Sequence, residues 1–247
     1  MALNEDGTLS VFGVAAGSSP VVPADVLAKL QAAGVQQLNV EVGQDGLFLA
    51  ADGQTLPTIT WTPESMQTLS GIIAPLAGID PGMIANGMSL IEETGAIKAT
   101  IALPGNEPTS AEINKTMAAP AGDAPVAVIH ADAVYSDGAI QSIGGLPEGA
   151  VPGLPIALPS NVTGIIDSLD ANTIELATDS GKLNLLLDGS TALTVNYDDA
   201  SLAAAMQLAG PFLGGTPLEN PAVATFVQEQ ILPLVPSADL DITVAVQ

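Results

Sequence analysis

The only histidine in the chain, His130, is the first residue to consider as a catalytic group. A Ser-His-Asp hydrolase would need its imidazole as the general base. No Gly-x-Ser-x-Gly motif accompanies it to present a nucleophilic serine, and it stands in an apolar, strand-like run. We interpret His130 as a strand residue that faces solvent or is hydrogen-bonded locally, and we predict no catalytic residues.

Paired carboxylates could support glycoside hydrolysis by general acid and base chemistry. The candidate pairs are Glu92 with Glu93, Asp198 with Asp199, and Asp239 with Asp241. Adjacent carboxylates point in different directions, and only 3% of the residues are aromatic, which is too few for a sugar-binding platform. We interpret these carboxylates as solvated turns and helix ends. A carboxylate-dependent hydrolase is therefore the least favoured function.

Metal and thiol chemistry have little support in this sequence. One histidine and no cysteine argue against zinc, and the lack of cysteine excludes disulfides and thiolate nucleophiles. The acidic turns at residues 4–7 and 135–138 are too short for an EF-hand loop, and their Asp-Gly pairs are typical of β-hairpins. Calcium binding stays an open alternative, and we predict no cofactor and no metal site.

Two aromatic residues, Trp61 and Tyr197, occupy matching places at the end of a predicted strand, just before an apolar helix. An aromatic side chain at this place could simply fill the core between strand and helix. The alternative is that the pair lines a pocket or an interface together with apolar residues of the following helices. The ligand-binding residues predicted by this alternative are Trp61, Tyr197, Ile72, Ile73, Leu76, Leu208 and Phe212.

Charge excludes several classes of partner. The chain contains 27 acidic residues and only four basic ones, all lysine, so its formal net charge is −23. Nucleic acids need clustered basic residues, and an anionic membrane surface would repel this protein. No uninterrupted apolar run is long enough for a transmembrane helix. The remaining partners are an apolar small molecule or another protein, and the oligomeric state is left open.

The sequence repeats itself at a spacing of 136 residues. Trp61 matches Tyr197 at this spacing, and the turn residue Asp52 matches Asp188. Turn residues and apolar positions match at this spacing without a gap from residue 26 to residue 93. Such self-similarity predicts an internal duplication. The predicted repeats span residues 6–103 and 137–246.

Each repeat is predicted to contain an Asp-Gly hairpin, a helix, a three-stranded meander, two helices and a closing strand. In the first repeat Leu38, Val40 and Val42 alternate with polar residues, which predicts a half-buried strand. The predicted helices at 63–77 and 199–213 are apolar nearly all round, which is typical of buried helices. We expect these two helices to be the most buried and to pack at the junction of the repeats.

We therefore predict an α+β fold of two tandem, pseudo-twofold repeats in which antiparallel sheets are covered by apolar helices. The first repeat would span residues 1–103, a Pro- and Gly-rich linker 104–125, and the second repeat 126–247. The predicted function is a non-catalytic extracytoplasmic binding module that holds an apolar ligand between sheet and helices. The alternative is a structural or cell-surface interaction protein.

The two hairpins that open the repeats differ in length. A strand-like run at 126–135 precedes the second Asp-Gly turn, whereas only residues 2–4 precede the first. We expect that an export signal or a lipoprotein-like anchor stood before Met1 in the natural protein. The predicted location is extracellular or at the cell surface.

Overall fold

The structure is a computed structural model in which one mixed β-sheet dominates. It describes residues 1–11, 14–15, 22, 24–62, 65, 81–109, 112–117, 127–145, 153–158, 160–179, 181–209 and 238–247. Within these residues the sheet has 15 strands, and four helices lie beside it. We call residues 1–109 the first half and residues 127–247 the second half.

The first half contains strands β1 to β8 and helices α1 and α2. Their bounds are β1 Ala2–Leu3, β2 Leu9–Val11, β3 Val14–Ala15, α1 Ala24–Ala32, β4 Gln37–Gly43, β5 Gly46–Ala51, β6 Gln54–Thr55, β7 Thr58–Thr60, α2 Pro81–Thr94 and β8 Ala96–Ala102. The second half contains β9 Ala127–Ser136, β10 Ala139–Gly144, β11 Ile156–Ala157, α3 Ser160–Ser168, β12 Thr173–Asp179, β13 Lys182–Leu187, β14 Ser190–Asn196, α4 Asp199–Ala209 and β15 Ala238–Val246.

The strand order is β11-β10-β9-β15-β12-β13-β14-β7-β5-β4-β8-β1-β2-β3, and β6 pairs with β5 beside this path. Two neighbouring pairs, β1 with β8 and β9 with β15, are parallel. The other pairs among the described strands are antiparallel. The predicted opening hairpins are confirmed, since β1 pairs with β2 and β9 with β10.

The predicted α+β fold, with antiparallel sheets of two repeats covered by apolar helices, is wrong. A single mixed sheet runs through both halves, because β7 pairs with β14. A meander that ends at an open edge leaves backbone N–H and C=O groups unpaired, and joining two such edges satisfies them. The helices cover less than expected: among the described side chains of α4, only Ser201 and Ala204 are buried.

Several predicted helical residues lie outside the described part of the chain. Of the helix predicted at 63–77 only Ser65 is described, and α4 is described to Ala209 of the predicted 199–213. Of the other helices expected in the first repeat, the one before the meander is observed as α1 and the one before the closing strand as α2. Among the helices that the structure describes, none has the length and apolar character needed to cross a lipid bilayer.

Element bounds in the structure follow the spacing seen in the sequence. Helix α3 and strands β12 and β13 begin and end 136 residues after α1, β4 and β5. Asp52 and Asp188 both adopt a positive φ, 49° and 48°. Each carboxylate accepts hydrogen bonds from two consecutive backbone N–H groups at the start of the neighbouring strand. The same local sequence therefore builds the same turn in both halves, and its origin in a duplication stays a prediction.

The seam between the halves is the β7–β14 pair. Ile59 lies directly opposite Val195, and Thr60 lies opposite Thr194. The Thr60 hydroxyl donates to the Thr194 carbonyl (3.3 Å) and accepts a hydrogen bond from Asn196 Nδ2 (3.0 Å). Backbone pairing and side-chain hydrogen bonds therefore join the halves into one sheet.

A hydrophobic cluster beneath α1, called here the first core, also receives a residue from the second half. The first core consists of Leu3, Leu27, Val35, Ala51 and Leu103. Leu208 of α4 packs against it, so α4 crosses the seam and covers part of the opposite half. The second half has its own cluster of Leu169, Ala171 and Ile174.

A reciprocal cap formed by Asp198 and Ser201 begins helix α4. The Ser201 N–H donates to Asp198 Oδ1 (2.7 Å), and the Asp198 N–H donates to Ser201 Oγ (2.9 Å). Thr62 and Ser65 make the same pair of hydrogen bonds, at 3.2 and 3.0 Å. Such a cap satisfies N–H groups that a helix leaves without intrahelical partners.

Replacing the cap residue, Asp198→Ala, should lower the free energy of unfolding by about 1 kcal/mol, because the helix start loses its acceptor. Asp198→Asn keeps an acceptor oxygen at the same place and should retain most of the stability. Urea denaturation of both variants and the wild type measures the difference. Equal stability of Asp198→Ala and the wild type would show that the cap does not hold α4.

Candidate functional site

The two aromatic residues singled out in the sequence each follow a strand of the seam. The Trp61 N–H donates to the Asp45 carbonyl (3.0 Å), and the Tyr197 N–H donates to the Gly181 carbonyl (2.9 Å). The Trp61 indole Nε1 donates to the Gln44 carbonyl (3.0 Å). Tyr197 is buried, and this burial raises the pKa of its phenol.

The structure does not bring Trp61 and Tyr197 together. β7 and β14 run antiparallel, so the residues that follow them lie at opposite ends of the seam. Leu208 packs against the first core. The remaining predicted ligand-binding residues lie outside the described part of the chain: Ile72, Ile73, Leu76 and Phe212.

A groove of about 340 Å³ lies where the start of α4 meets strand β6, and we call it the first helix groove. Thr55 lines one side, and Ser201, Ala204 and Gln207 line the other. Its walls therefore come from both halves of the chain. Small alanine side chains beside hydroxyl and amide groups give the groove both apolar and polar surface.

A second groove, of about 330 Å³, lies on the opposite side of the seam, and we call it the second helix groove. Thr62 and Ser65 line one side, and Thr191 lines the other, with Leu169 and Leu187 between them. Thr62, Ser65 and Thr191 stand 136 residues from Asp198, Ser201 and Thr55 of the first helix groove. The two grooves thus share these corresponding positions, whereas Asn114, Thr116 and Met117 line only the first groove and Leu169 and Leu187 line only the second.

A third groove, of about 440 Å³, lies on the face of the sheet formed by β4 and β8. Residues 112–117, which we call the strap, cross this face and close one side of the groove. Just before the strap, the Thr109 N–H donates to Gln37 Oε1 (2.6 Å). The lining of this strap groove is mainly polar: Asn39, Glu41, Lys98, Thr100, Glu112 and Lys115.

Glu41 is the central ionisable residue of the strap groove, and only 6% of its surface is exposed. Lys115 contacts its Oε1, and Lys98 Nζ lies 3.3 Å from its Oε2. The Lys115 ammonium also lies 4.4 Å from the centroid of the Phe48 ring. Burial raises the pKa of Glu41, but hydrogen bonds and charges from Lys115 and Lys98 outweigh burial and lower it below its ordinary value.

Local sequence patterns do not predict the strap groove. They indicate a linker at residues 104–125 and place the polar residues of β4 on the solvent side of a half-buried strand. The one feature of the sequence that could have indicated this groove is the small number of basic residues. The chain has four lysines, and two of them, Lys98 and Lys115, pair with Glu41. That pairing depends on strand register and on the path of the strap, which local patterns do not specify.

His130 lies on β9 directly opposite Asp241 of β15. Its Nδ1 is 3.1 Å from Asp241 Oδ2, and its Nε2 is 3.5 Å from Asp132 Oδ2. This agrees with the prediction of an exposed or locally hydrogen-bonded histidine. Within the described part of the chain, no three or more histidine and carboxylate side chains lie close enough together to hold a metal ion.

Comparison with known proteins finds no matching family model, no similar curated protein and no similar solved structure.

Proposed function

We propose that this chain is a non-catalytic, extracytoplasmic binding module whose two helix grooves hold small, largely apolar ligands. The observation that supports this most is the pair of grooves itself, about 340 and 330 Å³ in volume. They form at corresponding places in the two halves, and their volumes fall at the lower end of the range of small-molecule sites. The extracytoplasmic location rests on the sequence alone.

The lining favours a ligand with an apolar body and a hydrogen-bonding end. In the first helix groove Ala204 and its neighbouring alanines leave room beside the polar Thr55 and Gln207. In the second, Leu169 and Leu187 supply the apolar side and Thr191 a hydroxyl. Contact with such a ligand removes apolar surface from water, which contributes about 25 cal/mol for each Å² buried.

Blocking the grooves tests this proposal, and the chain offers a matched pair of positions, Thr55 and Thr191. We expect the wild type to bind two equivalents of the neutral dye Nile red or of a ligand found in an organic extract. Thr55→Trp and Thr191→Trp should each remove one equivalent, because an indole fills the groove, and the double variant should remove both. Native mass spectrometry and dye titration count the equivalents.

The control for this test is Thr55→Ser with Thr191→Ser, which keeps the hydroxyl groups and leaves the grooves open. Its stoichiometry should match that of the wild type. Uptake that is the same in the wild type and in the folded double tryptophan variant would refute binding in the helix grooves.

A structural or cell-surface interaction role is the second candidate, and one feature of β9 favours it. The side chains of Val128 and Ile129 are 70% and 42% exposed. β10 pairs with β9 only from Asp132 onward, so among the described strands none pairs with this side of residues 127–131. An open strand edge with apolar side chains suits the addition of a strand from a partner. This role would produce larger assemblies, whereas groove binding leaves the assembly state unchanged.

A further inference from the structure

The strap groove contains a charge arrangement that the sheet does not require. On β4, Glu41 lies opposite Phe48 of β5 on one side and opposite Lys98 of β8 on the other. The carboxylate is thus placed between an aromatic ring and a cation. The Lys115 ammonium then reaches it from the strap.

The second half builds the same strand ladder with different chemistry. Ala177 of β12 lies opposite Asn184 of β13 and opposite Asp241 of β15, in the register that Glu41 has in the first half. Alanine and asparagine thus stand where the first half has Glu41 and Phe48, and Asp241 stands where the first half has Lys98. Three-stranded pairing therefore forms without them, and Glu41 with Phe48 is a feature of the first half beyond what the fold needs.

A carboxylate beside an aromatic face is the arrangement that binds an alkylammonium group. The carboxylate accepts charge-assisted hydrogen bonds from the N–H groups, and the ring attracts the cation electrostatically. Lys115 shows this mode of binding within the chain, since its ammonium contacts Glu41 and lies above Phe48. Asn39, only 2% exposed, lines the same groove and adds polar surface beside the carboxylate.

The strap that carries Lys115 is itself weakly buried. Four of its six residues are exposed, namely Glu112, Asn114, Lys115 and Thr116. Segments with few buried contacts open at low cost in free energy. The net charge of −23 also raises the local concentration of cations around the protein.

We propose that Glu41 and Phe48 form a binding site for a primary ammonium group, and that Lys115 of the strap is its built-in occupant. An incoming amine or lysine side chain displaces Lys115 and lifts the strap. Lys115 competes from within the chain at an effective concentration in the millimolar range. An external ligand therefore displaces it only at a comparable concentration or when it makes additional contacts with the protein. Glu41 and Phe48 lie outside the lining of both helix grooves, but the strap also lines the first helix groove through Asn114, Thr116 and Met117, so lifting the strap would alter that groove as well. The ammonium site is proposed in addition to the function of the helix grooves.

The test uses the full chain with Lys115→Ala and n-butylammonium chloride as the probe. We expect isothermal titration calorimetry to show binding to Lys115→Ala that is at least about tenfold tighter than to the wild type, since the competing side chain is gone. Neutral 1-butanol should bind Lys115→Ala no more tightly than it binds the wild type, because it carries no charge for Glu41 to recognise. Lys182→Ala is the matched control: it removes an exposed lysine of β13 in the second half, leaves both Lys98 and Lys115 at Glu41, and should behave as the wild type.

A second variant tests whether the Glu41 carboxylate binds the ammonium group. Lys115→Ala combined with Glu41→Gln should lose butylammonium binding, because the amide carries no charge. A folded Lys115→Ala protein that binds butylammonium no better than the wild type would overturn the proposal. Binding that survives Glu41→Gln would overturn it as well.

A further experiment with peptides distinguishes a free amine from a lysine side chain of a partner protein as the natural ligand. A synthetic peptide with the sequence of residues 112–117 is compared with the same peptide carrying norleucine in place of lysine. Binding of the lysine peptide to Lys115→Ala that is tighter than that of butylammonium identifies a partner's lysine-bearing segment as the ligand. Binding no tighter identifies a free amine, and binding of the norleucine peptide with equal affinity would overturn ammonium recognition.

Hydrogen exchange of the wild type keeps the proposal testable if Lys115→Ala does not fold. Amides of residues 112–117 should exchange faster as butylammonium is added, because displacement of Lys115 lifts the strap. Sodium chloride at the same ionic strength should not have this effect. Exchange that is unchanged by butylammonium at concentrations above the millimolar range would overturn the proposal.

Discussion

Leu103→Ala should lower the free energy of unfolding by about 2–5 kcal/mol, the usual range for removing a buried leucine side chain. Leu103 is 1% exposed and lies in the first core with Leu3 and Leu27. Its N–H donates to the Gln36 carbonyl (2.8 Å), which fixes the backbone at the end of β8. Its neighbours are therefore held in place and cannot collapse fully into the cavity. Urea denaturation followed by circular dichroism measures the loss.

The control for this substitution is Leu90→Ala on helix α2, where the leucine is 47% exposed. An exposed leucine replaced by alanine should change the free energy of unfolding by less than about 0.5 kcal/mol. If Leu103→Ala costs no more than Leu90→Ala, the first core does not contribute as the structure indicates.

The first core also explains how the two halves depend on each other. Leu208 comes from α4 of the second half yet packs against the first core, and the seam joins β7 with β14 in one sheet. A cavity at Leu103 therefore weakens a cluster to which both halves contribute. The first helix groove lies beside this crossing, because α4 forms one of its walls, so that wall depends on the same packing.

Local chemistry is what the sequence predicted well. Asp-Gly pairs predicted the turns, where Gly53 and Gly189 adopt positive φ values of 81° and 76° that glycine tolerates best. Gly34, with φ of 77°, lies just after the end of α1, where a glycine commonly ends a helix. These features depend on residues close together in the chain, so a sequence pattern suffices to find them.

The joining of the halves could not be predicted in the same way. Whether a meander edge stays open, is covered by a helix or pairs with another edge depends on residues far apart in sequence. The alternation in β4 was also misleading: Leu38 and Val40 are only half-buried, whereas the polar Asn39 and Glu41 are 2% and 6% exposed. The polar residues of β4 were expected to face solvent. Instead the strap covers this face of the sheet, and Lys98 and Lys115 compensate the charge of Glu41.

The sequence predicted only some of the residues that line the candidate sites, and it did not predict which of them lie together. Among the predicted ligand-binding residues, Leu208 proved to be a core contact between the halves, and Trp61 and Tyr197 lie at opposite ends of the seam. The strap groove needs Lys115 to return over β4 across 74 residues of sequence. A contact of that range is set by the path of the whole chain.

Glu41 should contribute to the pH dependence of the free energy of unfolding, and replacing both Lys98 and Lys115 should reverse the direction of this contribution. Burial raises the pKa of Glu41, but hydrogen bonds from Lys115 and Lys98 outweigh burial and leave it below the ordinary value. A carboxyl group whose pKa is lower in the folded state stabilises the fold above its unfolded pKa. This stabilisation is lost as the pH falls through the folded pKa. In the wild type, Glu41 therefore contributes at neutral pH and stops contributing in strong acid.

The double variant Lys98→Met with Lys115→Met removes both cations and keeps side chains of similar length. Burial then acts on Glu41 without compensation and raises its pKa above the unfolded value. A carboxyl group with a raised pKa favours the folded state below its unfolded pKa, and this advantage is lost as the pH rises through the folded pKa. At neutral pH we expect the variant to be less stable than the wild type by about 3 kcal/mol, since a buried carboxylate is left without a counter-charge.

The decisive quantity is the difference in free energy of unfolding between the wild type and Lys98→Met/Lys115→Met, measured by urea denaturation from about pH 3 to about pH 8. The other carboxyl groups contribute similarly to both proteins, so their titration largely cancels in the difference. We expect the difference to be largest at neutral pH and to shrink steadily as the pH falls, because protonation removes the uncompensated charge. Lys29→Met/Lys182→Met changes the net charge equally but leaves Glu41 paired, so its difference should vary much less with pH. Parallel curves for the two double variants would mean that water already solvates Glu41 and that the strap does not bury it.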